Sequence, residues 1–103
     1  MKRGRDYWKD LIEDLKDPRE SAAYLNAALE EGNKQAFLLA LKHVVEAQGG
    51  MSVFAKKSGL SRVSLYKIFS KKGNPEFGSL LAVLRTLGID FKLAPSNLSR
   101  KAA

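Results

Sequence analysis

The twenty residues Met-Ser-Val-Phe-Ala-Lys-Lys-Ser-Gly-Leu-Ser-Arg-Val-Ser-Leu-Tyr-Lys-Ile-Phe-Ser, positions 51–70, constrain the fold more than any other stretch. They meet, in order, the steric demands of two short helices crossing at a tight turn. Close crossing needs a small side chain midway along the first helix, and Ala55 stands there. The three- to four-residue turn needs a left-handed backbone position, open without penalty only to glycine, and Gly59 supplies it. Leu60 can plug the turn into a core. Leu65 and Ile68 give the second helix a buried stripe, and Phe54 is its partner on the first. The spacing predicts helices over residues 52–58 and 62–70, with Ser52 and Ser61 as N-caps.

Helical periodicity runs through the flanks as well. Trp8, Leu11, Ile12 and Leu15 predict a helix over residues 6–16. Asp17-Pro18-Arg19-Glu20 is a start signal for a second helix carrying Ala22, Leu25, Ala28 and Leu29, which stops at Gly32. Asn33 caps a third, with Phe37, Leu38, Leu41, Val44 and Val45 on its apolar face and Gly49-Gly50 at its end. After a turn at Gly73-Asn74-Pro75, residues 79–87 present Leu80, Leu81, Val83, Leu84 and Leu87, and Gly88 terminates them. Ile89, Phe91 and Leu93 then alternate with Asp90, Lys92 and Ala94, a period of two that predicts one short strand. The expected fold class is all-α, a bundle of five to six helices with a short C-terminal β-strand. At 103 residues it forms a single domain. Residues 6–32 are a helical extension, 33–94 the helix-turn-helix core with its strand, and 95–103 a flexible tail.

Composition narrows the function. With no Cys there is no disulfide scaffold, thiolate metal site or thiol nucleophile, and the single His43 argues against a histidine-rich metal centre. No cofactor is expected. Apolar runs are too short for a membrane span or a signal-peptide core, so a cytoplasmic protein is expected. The net charge of +7 is unevenly divided. Residues 1–50 hold 8 basic and 9 acidic side chains, whereas residues 51–103 hold 10 basic and 2 acidic. From Ala47 through Pro75 there is no acid, while Lys56, Lys57, Arg62, Lys67, Lys71 and Lys72 all fall there. Such asymmetry fits a polyanionic partner for the second half, with a solvated cationic surface as the plainer alternative.

Arg62, Val63, Tyr66, Lys67 and Ser70 project away from the Leu65–Ile68 stripe. Arg and Lys can donate to guanine O6 and N7, and Val can touch a thymine methyl, so this is the composition of a face that reads a major groove. Ser61 and Ser64 belong to the same helix start. Ser52 would aim the first helix's amides at a phosphate. Lys71, Lys72 and Asn74 follow the second helix, where phosphate contacts fix register without reading sequence. Tyr66 could instead be a core residue. The partner so implied is double-stranded DNA.

Other residues give weaker signals. His43 has no converging partners and reads as a surface or partly packed helix residue. Asp10, Glu13, Asp14 and Asp17 read as a solvated helix face, and Ser61 and Ser64 lack the base a nucleophile needs, so no enzymatic activity is expected. Tyr7 and Trp8 must be covered, by their own domain or by a partner. A lone strand over Ile89-Asp90-Phe91-Lys92-Leu93 leaves backbone groups unpaired and needs an edge. That edge could be the same strand in a second copy, making Ile89, Phe91 and Leu93 a homodimer interface; the N-terminal stretch or another protein's sheet would serve too.

A family resemblance rests on Gly49-Gly50-Met51 through Gly59-Leu60-Ser61-Arg62, then Leu65-Tyr66, Gly73-Asn74-Pro75 and Leu87-Gly88. Leu15-Lys16-Asp17-Pro18 and the segment from Ala22 to Glu30 extend it over residues 6–95. The chain resembles the transcriptional regulators that include the addiction-module antidote (antitoxin) proteins. This implies a lambda-repressor-like DNA-binding domain and a repressor that binds its own operator, of palindromic form, as a dimer. In many relatives it also implies neutralisation of a RelE-like toxin, a ribosome-dependent ribonuclease. Ser61, Arg62, Val63, Tyr66 and Lys67 map to the family's recognition positions. Val63-Ser64 stand where many relatives carry a polar residue or Glu, a departure that bears on operator sequence. The alternatives are a stand-alone regulator without a toxin, or a protein-interaction module whose helix-turn-helix is only structural.

Overall fold

In the computed structural model, which describes residues 4–96, the apolar periodicity resolves into six helices and, among those residues, no strand. They are α1 (Gly4–Asp14), α2 (Pro18–Glu30), α3 (Lys34–Ala47), α4 (Met51–Ser58), α5 (Arg62–Ile68) and α6 (Phe77–Thr86). The expected tail over residues 95–103 lies, beyond Ser96, outside the described residues.

Local chemistry sets the helix starts. The Asp17 carboxylate accepts from the Arg19 backbone N–H at 2.9 Å, and that bond holds its carboxyl below the ordinary range. Asn33 Oδ1 accepts from the N–H groups of Gln35 (2.8 Å) and Ala36 (3.3 Å) to open α3. Ser61 opens α5 in the same way.

α3 is the central element, packing against α1, α2 and α4, while α4 also packs against α5 and α6. Leu41, Val44 and Val45 of α3 meet Leu15, Leu25, Phe54, Leu65 and Val83 in one buried cluster. Each such side chain contributes about 1.5–3 kcal/mol relative to exposure. The one buried polar side chain among the described residues, Ser21, donates from Oγ to the Leu15 carbonyl at 2.7 Å, tying α2 to the end of α1.

α1 itself is peripheral and buries no residue fully. Its hold on the body includes an edge-to-face contact between Trp8 and His43 (ring centroids 4.9 Å apart) and half-buried Leu11 and Ile12. His43 Nδ1 is in turn hydrogen bonded to the Tyr24 hydroxyl at 2.8 Å. Burial pushes the His43 pKa down and the Tyr24 pKa up, so the neutral forms fit this cluster. Trp8 thus meets its own chain through His43 but stays 39% exposed, and Tyr7 is exposed to 58%.

The structure corrects three sequence expectations. Residues 89–93 form no strand. At the end of α6 the Gly88 N–H donates to the Arg85 carbonyl (3.0 Å) and the Ile89 N–H to the Leu84 carbonyl (2.9 Å). That pattern is a Schellman closure, in which Ile89 tucks against the helix it follows. One residue of the expected strand is consumed by the cap, and the rest find no neighbouring edge. Ser52 is not an N-cap: Gly50 holds that position without a side-chain bond, and α4 begins at Met51. Finally, α5 ends at Ile68 instead of residue 70, and α6 starts at Phe77, two residues ahead of its periodicity.

Candidate nucleic-acid interface

α4 and α5 are joined by only Gly59, Leu60 and Ser61. Gly59 sits at φ +77°, where a side chain would be strained, and its N–H donates to the Ala55 carbonyl at 3.2 Å. The Leu60 N–H donates to Ser58 Oγ at 3.2 Å while its side chain is half-buried against the core. Ser61 Oγ accepts from the Ser64 N–H at 3.0 Å, and the two hydroxyls are also hydrogen bonded at 3.0 Å. Phe54 and Leu65 are fully buried and Ile68 nearly so. The inner stripe of α5 is therefore locked, which fixes the direction of the outer one.

On that outer side Arg62, Val63, Ser64, Tyr66 and Lys67 are all exposed, Val63 to 65% and Tyr66 to 53%. A core role for Tyr66 is overturned by this exposure. The Arg62 guanidinium lies 6.0 Å from the centroid of the Tyr66 ring, one turn on, in cation–π range. This contact holds a long cationic side chain along the helix. A valine left two-thirds exposed beside it has no packing reason to be there.

Ser70, Lys71, Lys72 and Asn74 follow α5 and are exposed as well, with Ser70 Oγ donating to the Lys67 carbonyl at 2.9 Å. Gly73 makes this tight return possible. A Cβ at that position would lie 2.2 Å from the Ile68 carbonyl oxygen, so no other residue fits without moving the loop. The loop and α5 together bound an open groove of about 440 Å³ lined by Ser64, Lys67, Ser70, Lys72, Asn74 and Ser79, with Glu76 at its edge. Ser52 is exposed in the first turn of α4. Among the described residues, no acid pairs with Lys56, Lys57, Arg62, Lys67, Lys71 or Lys72; the ion pairs Lys16–Glu13 and Arg19–Asp17 belong to the first half.

The residues expected at a dimer contact lie elsewhere. Ile89 is half-buried, Phe91 packs edge-to-face on Phe77 (centroids 5.5 Å), and Leu93 is 87% exposed. Phe77 escaped the sequence reading because its helix was taken to start two residues later. Beside them, α2, the start of α3 and α6 enclose an apolar groove of about 380 Å³, lined by Leu25, Leu29, Phe37, Leu80, Leu84 and Ile89. Among the described residues no three His, Asp or Glu side chains gather as metal ligands, and no helix is long and apolar enough to cross a membrane.

Comparison with known proteins places this geometry in a family. An uncharacterized protein of Haemophilus influenzae is 36% identical to the chain over 90 residues, spanning 87% of this chain and 92% of its own length. No solved structure matches significantly. A family described as "probable addiction module antidote protein" matches residues 8–95, which include all six helices save the first turn of α1. With nearly its whole length matched, the chain belongs to the family of probable addiction module antidote proteins.

Proposed function

We propose that this antidote-family protein is a sequence-specific DNA-binding repressor, the antitoxin of a toxin–antitoxin module whose operon it regulates. The observation that carries the proposal is the outer face of α5, where Arg62, Val63, Tyr66 and Lys67 are exposed and, among the described residues, neither cation is paired with an acid. In this lambda-repressor-like arrangement α5 enters the major groove. Arg62, held along the helix by Tyr66, and Lys67 donate to guanine O6 and N7, and Val63 meets a thymine methyl. Ser61 and Ser64, engaged in the helix cap, contribute rigidity and a polar contact at its start. Ser52, Ser70, Lys71, Lys72 and Asn74 hold phosphates and set register.

Two copies reading a palindrome would place their α5 helices in half-sites about one helical turn, roughly 34 Å, apart. The toxin, a RelE-like protein, is held by the charge-balanced α1–α3 region, since the basic face is occupied by DNA.

The test is binding to the DNA upstream of the protein's own gene, compared with an unrelated fragment at moderate salt. Arg62→Ala and Lys67→Ala should each cost on the order of 1–3 kcal/mol and relax base preference at one position. Unchanged operator affinity and sequence preference in the double variant would sink the assignment of this face.

A further inference from the structure

We infer that Ile89-Asp90-Phe91-Lys92-Leu93 is a self-complementary contact on which a second copy of this chain seats, antiparallel about a two-fold axis through Phe91. This rests on the dimeric repressor proposed above and gives it a surface and a register. The segment is chemically palindromic. Reversing it exchanges Ile89 with Leu93, both aliphatic, and Asp90 with Lys92, which are opposite in charge, and leaves Phe91 in place. In a two-fold pairing centred on Phe91, each Asp90 faces the partner's Lys92, each Ile89 faces the partner's Leu93, and the two Phe91 rings meet. A shift by one residue sets like against unlike throughout, putting Asp90 beside an aromatic or aliphatic side chain.

The structure leaves this segment in the state such a contact requires. Its only backbone–backbone hydrogen bond among the described residues is the one from Ile89 to Leu84, so the polar groups of residues 90–93 are free to pair. Among the described residues neither Asp90 nor Lys92 has an ion-pair partner. Leu93 is 87% exposed, the highest value among the exposed large apolar residues, and touches nothing that would account for it. On the two-fold it comes to lie over the partner's Ile89, at the mouth of the apolar groove between α2 and α6. The Phe77–Phe91 pair, half-exposed in one copy, becomes half of a four-ring cluster on the axis. Charge, aliphatic and aromatic groups all find their like or their complement under one symmetry operation, which is the mark of an isologous surface.

A charge-swap series on the full chain, read by sedimentation equilibrium, tests the register. The native protein should be a dimer. Asp90→Lys and Lys92→Asp each set two like-charge pairs across the axis and should weaken dimerisation on the order of 10-fold or more. Mixing the two variants one to one restores opposite charges at both contacts, and heterodimers should form with close to native affinity. A monomeric native protein, a single variant that dimerises as the native does, or a mixture no tighter than its components would each overturn the interface. Thermal melting checks that the variants keep their fold, which both exposed positions should allow. Binding to a single half-site separates this from the DNA-reading proposal: monomeric variants should retain it, and its absence from the native protein would refute DNA reading alone.

Discussion

The two halves of the molecule use the same building unit to opposite ends. Residues 4–47 form three helices of 11, 13 and 14 residues, and residues 51–86 form three of 8, 7 and 10. In the first half acids and bases alternate and neutralise one another locally, as Lys16 does with Glu13 at 2.9 Å. The second half leaves its cations without acidic partners and its helices short, so that α5 depends on the core for its direction. A seven-residue helix is marginal in isolation. Here it is fixed because Leu65 and Ile68 are pinned from beneath by Phe54. The longer helices make a platform; the shorter ones hold out cations that, among the described residues, no acid pairs with. Polar chemistry left unneutralised on a rigid support is what distinguishes a binding face from a solvated one.

The joint between the two halves carries the largest expected effect. Phe54→Ala should lower stability by about 3–5 kcal/mol, seen as a shift in urea unfolding. A single transition is expected because Phe54 shares one core with Leu41 and Val44. A biphasic curve would divide the molecule where we have joined it.

A finer cut compares two helix caps. Ser61→Ala and Asn33→Ala each remove a side-chain cap, from α5 and α3, and each should cost about 1 kcal/mol in thermal or chemical unfolding. Only the first should also weaken operator binding, since α5 is the helix proposed to read DNA. Equal losses of affinity in both would mean that binding follows stability alone. Smaller still is the effect of single phosphate contacts. Lys71→Ala or Lys72→Ala should reduce the slope of log K against log salt by about one unit without altering sequence preference, whereas Lys34→Ala in the first half should leave the slope unchanged.

The smallest effect concerns pH and belongs to the first half. The half-buried His43 has a lowered pKa, so as pH falls the unfolded chain takes up its proton before the folded one does. The stability this neutral His43 contributes is full above about pH 6.5 and is lost as pH falls through its folded-state value. His43→Gln should flatten that part of the stability–pH curve, measured by melting temperature. Persistence of the same slope would place the titrating group elsewhere.

Much of this was legible in the sequence wherever cause and effect lie within a few residues. Asp17, Asn33 and Ser61 are N-caps because each is followed by the amides it binds. Gly59 is left-handed because a turn this short admits little else. The outer residues of α5 follow from the inner ones by helical geometry alone. Ser52 misled because a capping side chain two residues after Gly50 looks the same in sequence whether or not the helix has already begun. The strand misled for a different reason. Alternation in Ile89–Leu93 records which side chains want the same side, but a strand needs an edge to pair with, and among the described residues there is none.

The helices, most of their caps, the turn and the charge of each half depend on chemistry between chain neighbours and are legible in the order of the residues. Which surfaces remain uncovered depends instead on how the helices pack. Trp8 and His43, or Phe77 and Phe91, are distant in the chain, and whether one hides the other depends on how the helices pack between them. Leu41 is fully buried and Leu93 is 87% exposed, although both are leucines, because burial is a property of the packed whole and not of the residue.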